Sequence, residues 1–90
     1  MSAIVTAKFL GDSVTEQELR ARVRQRFAKN PADVRIGILG SERVDDIEIK
    51  VTAIDGRRSV RWLHSKGREH DIPAIMASLD DIAVELSLNL

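Results

Sequence analysis

Ninety residues, 43% of them hydrophobic and 31% charged, describe one globular domain over residues 1–90 and exclude a disordered chain. The absence of cysteine excludes disulfides and thiolate metal sites, and fits a cytoplasmic protein. Fourteen basic residues balance fourteen acidic ones, so attraction to nucleic acid or anionic lipid over the whole surface is excluded and only local patches remain. The opening MSAIVTAKFLGD lacks the basic start and apolar run of a signal peptide, and nothing approaches the ~18–20 apolar residues that span a bilayer.

Residues 3–10 read as a strand with Ala3, Val5, Ala7 and Phe9 on one face and Ile4, Thr6, Lys8 and Leu10 on the other. A helix is expected next. Thr15 is placed to cap it, with Glu18 as the reciprocal half of a capping box and Val14 and Leu19 as a hydrophobic staple. Leu19, Val23 and Phe27 then form an apolar stripe, and Asn30-Pro31 ends the helix. Val34, Ile36 and Ile38 alternate with polar or small residues as a second strand. A third, over residues 46–54, sets Ile47, Ile49, Val51 and Ala53 inward.

Asp55-Gly56 signals a tight hairpin into a fourth strand carrying Val60 and Trp62 on one face and Ser59, Arg61 and Leu63 on the other. Matching apolar faces across the hairpin favours an even loop, which puts Trp62 in the core beside Ile49. A loop over residues 65–70 leads to a second helix near Asp71, with Ile72, Ile75, Met76 and Leu79 buried. The last residues admit two readings. Ile82, Ala83 and Leu86 continue the helical period, while Val84, Leu86, Leu88 and Leu90 alternate as a strand after the Asp80-Asp81 break.

The expected fold is α+β: an antiparallel sheet of four to five strands with two helices on one face. The favoured order is β-α-β-β-β-α-β, a ferredoxin-like split β-α-β variant, and the alternative is β-α-β-β-β-α.

Charge is balanced but segregated. Arg57, Arg58, Arg61, Lys66 and Arg68 fall in a stretch without an acid, and Arg20, Arg22, Arg24 and Arg26 crowd the first helix. Asp80, Asp81 and Glu85 belong to a C-terminal stretch without a base. Arginine forks suit phosphate oxygens, so the 57–68 arm and the basic helix face are candidate binding surfaces for phosphate or an acidic partner. On the ordinary reading these cations solvate a hairpin rim and flank an apolar stripe. The acidic group is a candidate contact for a basic surface, including one on a second copy of the chain. Ile4, Leu10, Ile54 and Leu63 add outward apolar area.

Catalysis has little to build on. There is no cysteine or tyrosine, and His64 and His70 are the only histidines. The run His64…Glu69-His70-Asp71 does not match a common metal-ligand spacing, and Gly37-Ile38-Leu39-Gly40-Ser41 lacks the lysine of a phosphate loop. The sequence therefore points to a non-catalytic module without cofactor or metal. Its expected role is regulatory or inhibitory, of the compact kind that phages and mobile elements encode. The expected partner is another protein or a second copy as a homodimer, with nucleic acid bound by the basic arm and helix as the alternative, and no membrane.

Overall fold

Alternation of apolar and polar residues with a period of two fixes which face of a strand turns inward, and three of the four strands follow it here. The computed structural model describes residues 3–8, 10–11, 13–31, 33–41 and 45–89. The elements are β1 (Ile4–Lys8), α1 (Ser13–Arg26), β2 (Arg35–Gly40), β3 (Asp46–Thr52), β4 (Arg58–His64) and α2 (Arg68–Glu85). The strands lie side by side in chain order. β1 pairs with β2 in parallel across the α1 crossover, and β2, β3 and β4 form an antiparallel meander.

This is the β-α-β-β-β-α order, and the sheet is mixed rather than antiparallel. A split β-α-β motif separates its two parallel strands by another strand, whereas β1 and β2 are direct neighbours.

One face of the sheet supplies Val5, Ala7, Ile36, Ile38, Ile47, Ile49 and Val51 to a continuous core. Leu19 and Val23 of α1, Phe27 just beyond it, and Ile72, Ile75, Leu79, Ile82 and Ala83 of α2 close over that face. Both helices therefore lie on one side, and the other side of the sheet has no cover among the described residues. Phe9 and Leu90, read as strand residues from the sequence, lie outside the described residues.

Three further expectations are corrected. The final strand does not form, because α2 runs on through Glu85 and buries Ile82, Ala83 and Leu86. The alternation of Val84, Leu86, Leu88 and Leu90 shares only Leu86 with the helical period, and burial of Ile82, Ala83 and Leu86 while Val84 is 78% exposed decides for the helix. The helix then closes with two backbone bonds, Leu88 N–H to the Ala83 carbonyl (2.8 Å) and Ser87 N–H to that of Val84 (3.3 Å). Ser87 takes φ 57°, the left-handed position usually filled by glycine in this type of helix end.

The capping box does not form either. α1 starts at Ser13, two residues before Thr15, which is buried within it, and Val14 is exposed. Glu18 is drawn instead to Arg22 and Arg68.

The third correction concerns the β3–β4 hairpin. Its loop holds three residues, Ile54-Asp55-Gly56, between Ala53 and Arg57, which pair through Ala53 N–H to the Arg57 carbonyl at 2.8 Å. Gly56 N–H closes a turn on the Ala53 carbonyl (3.0 Å), and Gly56 itself sits at φ 88°. A turn followed by a left-handed glycine is the usual three-residue hairpin solution. Asp55 reinforces it, accepting from the Arg57 backbone N–H (3.1 Å) and from its Nε (2.7 Å). An odd loop reverses the parity of β4, so Ser59, Arg61 and Leu63 face the helices while Val60 and Trp62 face away.

Asn30 ties the α1–β2 connection to the tail after α2. Only 2% exposed, its Nδ2 donates to the Asn89 carbonyl at 2.7 Å and its Oδ1 accepts from Asn89 N–H at 3.3 Å. Asn30→Ala strips both partners from the tail after α2. The expected loss is about 1–2 kcal/mol of unfolding free energy, read as a lower urea midpoint at unchanged slope.

Candidate functional site

The open side of the sheet is the candidate site, and the strand register arranges it in rows. Lys8, Leu39, Glu48 and Trp62 form one row across the four strands. Thr6, Gly37, Lys50 and Val60 form the next, and Ile4, Arg35, Thr52 and Arg58 a third. The chain's one tryptophan stands in water, 63% exposed, with Val60 at 44% and Leu39 at 43% on the same face. An indole left in solvent on a rigid strand is the kind of side chain that dominates binding energy when a partner covers it.

The charges are sorted by face. Away from the open face six cations are engaged: Arg20, Arg22, Arg26, Arg57, Arg61 and Arg68. Arg26 Nε meets Asp80 of α2 at 2.9 Å, Arg61 meets Glu85 at 2.7 Å, and Arg68 at the start of α2 bonds Glu18 of α1. Arg57 bonds both Asp55 and the Leu86 carbonyl at the end of α2 (3.0 Å). Arg20 donates to the Ala7 carbonyl of β1 at 2.9 Å. On the open face Lys8, Arg35, Lys50 and Arg58 make no ion pair or hydrogen bond among the described residues. They share that face with two carboxylates, Glu48 and Asp46, the latter 3.3 Å from His64 Nδ1.

The segregated charge of the sequence is therefore largely consumed within the chain. Arg57, Arg58, Arg61, Lys66 and Arg68 do not make one patch: Arg58 is on the open face, Arg61 on the helical face, Arg57 in the hairpin, and Lys66 and Arg68 at the approach to α2. Of the first helix's cations, Arg20, Arg22 and Arg26 serve β1, Glu18 and α2, and Arg24 stays exposed. Asp80 and Glu85 point to different elements, α1 and β4, leaving Asp81 exposed. Ile4 and Ile54 are exposed as expected, but Leu10 and Leu63 pack against the core. Parity of the hairpin loop was the signal that would have revealed Trp62.

These ion pairs leave a titration signature. The Arg68 guanidinium holds the Glu18 carboxyl below its ordinary range, and Arg61, helped by Ser59, does the same to Glu85. Backbone and side-chain bonds from Arg57 lower Asp55. Burial works against ionisation of Asp71, but the Ser65 hydroxyl, the Lys66 N–H and His70 together outweigh it and lower that carboxyl too. A carboxylate with a depressed folded pKa stabilises the fold above its unfolded value, near pH ~4, and that contribution is lost as pH falls through the folded value. The urea midpoint is thus expected to stay level from about pH 7 to 5 with respect to these groups and to fall below about pH 4. Glu85→Gln should reduce the fall in that window.

A cleft of about 390 Å³ opens where the start of α2 approaches the first turn of α1, walled by Thr15, Gly40, Asp45, Ser65, Asp71 and Ile75 among others. Two of its polar side chains, Ser65 and Asp71, are bonded to each other. Asp71 accepts from Ser65 Oγ (2.5 Å) and Lys66 N–H (2.9 Å), and His70 Nδ1 lies 3.1 Å from its other side. The carboxylate stands between serine and histidine, so the histidine cannot take the serine's proton, and an acidified carboxyl is a poor base. Among the described residues no group of three or more histidine, aspartate or glutamate side chains converges to hold a metal, and no helix is long and apolar enough to cross a membrane. No protein-family model, no curated protein and no solved structure matches the chain, so its site is read from its own residues.

Proposed function

We propose that the chain is a small non-catalytic, protein-binding module, regulatory or inhibitory in action and of the compact kind that phages and mobile elements encode. It works through the open side of its sheet. The observation that carries this reading is Trp62, exposed beside Val60 and Leu39 on a face that no helix covers. Aromatic side chains on a rigid scaffold lose little conformational freedom when a partner buries them, so their burial converts efficiently into affinity. The helical side supports this reading less, because Arg26, Arg61, Arg68, Arg20 and Arg57 are taken up by Asp80, Glu85, Glu18 and backbone carbonyls. Self-association draws less support, since the opposite charges that would join two copies already meet within one.

A nucleic-acid reading is favoured by one observation, the four cations with side chains unpaired among the described residues on the face that carries Trp62. Glu48 opposes it, lying directly across from Trp62, where a stacked base would bring its phosphate. Capture from host lysate with a tagged chain, with and without nuclease, separates the two. A partner retained by wild type after nuclease and lost by Trp62→Ala supports the protein-binding reading. Loss of all bound material on nuclease treatment overturns it in favour of nucleic acid.

A further inference from the structure

The two edges of the sheet are finished differently, and the difference points to one kind of partner. In an antiparallel pair, opposed residues alternate between exchanging two backbone hydrogen bonds and exchanging none. The Ala53–Arg57 bond at 2.8 Å and the Ser65 N–H to Asp45 carbonyl bond at 2.5 Å fix the phase of the β3–β4 ladder at both ends. Arg57, Ser59, Arg61, Leu63 and Ser65 therefore turn their backbone groups toward β3. Arg58, Val60, Trp62 and His64 turn theirs outward, along the edge, where nothing among the described residues meets them. On the opposite edge, β1 presents the Ala7 carbonyl, and Arg20 of α1 covers it. Proline or a bulge would blunt the β4 edge, and neither is present over its seven residues.

The same four residues carry their side chains on the open face. The β4 edge thus offers outward N–H and C=O groups together with Val60, Trp62 and the unengaged Arg58 in a single line. Charge decides what adds to it. β4 holds Arg58 and Arg61 and no acid, so pairing with the β4 of a second copy brings no carboxylate to Arg58. Glu48 and Asp46 lie on β3, inside the edge, so a chain added outside β4 meets the arginine without passing over them.

We propose that the β4 edge binds an extended, acidic segment of a partner protein as a fifth strand, with apolar side chains over Val60 and Trp62 and a carboxylate against Arg58. This deepens the protein-binding reading and rests on it. Backbone bonds supply general affinity, and the alternate side chains supply selectivity.

The test selects peptides of about ten residues, enough for one strand, from a random display library on the wild-type chain, then titrates synthetic versions on variants. Asp or Glu alternating with Val, Ile, Leu or Phe is the expected enrichment. Val60→Pro removes an N–H that no ladder bond uses and is tolerated on an edge, so it should keep the fold and weaken binding by about tenfold or more. Arg58→Glu leaves the backbone unchanged and should shift selection toward Lys and Arg, which keeps the proposal testable if Val60→Pro fails to fold. Amide exchange at Val60 and Trp62 should slow on binding.

Peptides that bind Val60→Pro as tightly as wild type, without slowing those amides, overturn the edge site while leaving the open face as a binding surface. Failure of the library to enrich any acidic sequence overturns it as well. So does sedimentation showing a dimer of the unbound chain with Val60 and Trp62 amides already protected, which makes a second copy the occupant. Tighter binding of oligothymidylate than of any selected peptide at ~50 mM salt overturns both this site and the protein-binding reading.

Discussion

Phe27→Ala is expected to cost about 3–5 kcal/mol of unfolding free energy, the largest single effect on stability foreseen in this chain. Phe27 is the largest of the fully buried side chains described, and it follows the last turn of α1, where its N–H still bonds the Val23 carbonyl at 3.0 Å. Alanine keeps that bond and keeps the carbonyl that accepts from Asn30, so the loss is one of packing. The remaining cavity would be bounded by core side chains that cannot collapse far in so small a protein. A domain of ninety residues carries about 5–15 kcal/mol in total, so the variant should be near its unfolding threshold at ambient temperature. Urea unfolding measures it as a large drop in midpoint at constant slope. A loss under about 1 kcal/mol would contradict the placement of Phe27 at the centre of the core.

Trp62→Ala is expected to do the opposite, leaving stability within about 0.5 kcal/mol while weakening partner binding by about 30-fold or more. The contrast follows from parity. Were Trp62 packed beside Ile49, as an even hairpin loop requires, its removal would cost about 3–5 kcal/mol, as for Phe27. With the three-residue loop it faces water, and little packing is lost. Since it is the chain's one tryptophan, its fluorescence reports directly: emission at a solvent-exposed wavelength, ready quenching by acrylamide, and a blue shift when a partner covers it. A blue-shifted, quencher-resistant emission from the unbound chain would refute both the register and the site.

The ion pairs bear on how the charge pattern of such a small protein is read. Arg26–Asp80 and Arg68–Glu18 join the two helices, Arg61–Glu85 joins α2 to β4, and all lie at the surface. Exposed pairs of this kind contribute little to stability. Their consequence is local: they engage Arg26, Arg61 and Arg68 within the chain, whereas the side chains of Lys8, Arg35, Lys50 and Arg58 stay unpaired among the described residues on the open face.

By itself, the sequence determined the inward faces of the first three strands. Alternation at Val5 and Ala7, at Ile36 and Ile38, and at Ile47, Ile49 and Val51 sets the inward face unambiguously, because a slip of one residue would expose the whole set. The helical stripe of Leu19, Val23 and Phe27 was equally legible. Three matters were decided only in the tertiary structure, each for a physical reason. Residues 82–90 admitted both periods, and α2 won because the sheet offered apolar surface for Ile82, Ala83 and Leu86 to bury. The hairpin parity was set by Asp55 and Gly56 in a three-residue turn, against the pattern that pairs Trp62 with Ile49. An edge strand allows this, since Arg61 can lie toward the thin margin of the helical layer with its head bound to Glu85. The grouping of charge was invisible in one dimension, because neighbours in sequence on β4 point to opposite faces. Arg58 and Arg61, three residues apart, consequently serve different sides of the sheet: one remains open to a partner, and the other is tied down by α2.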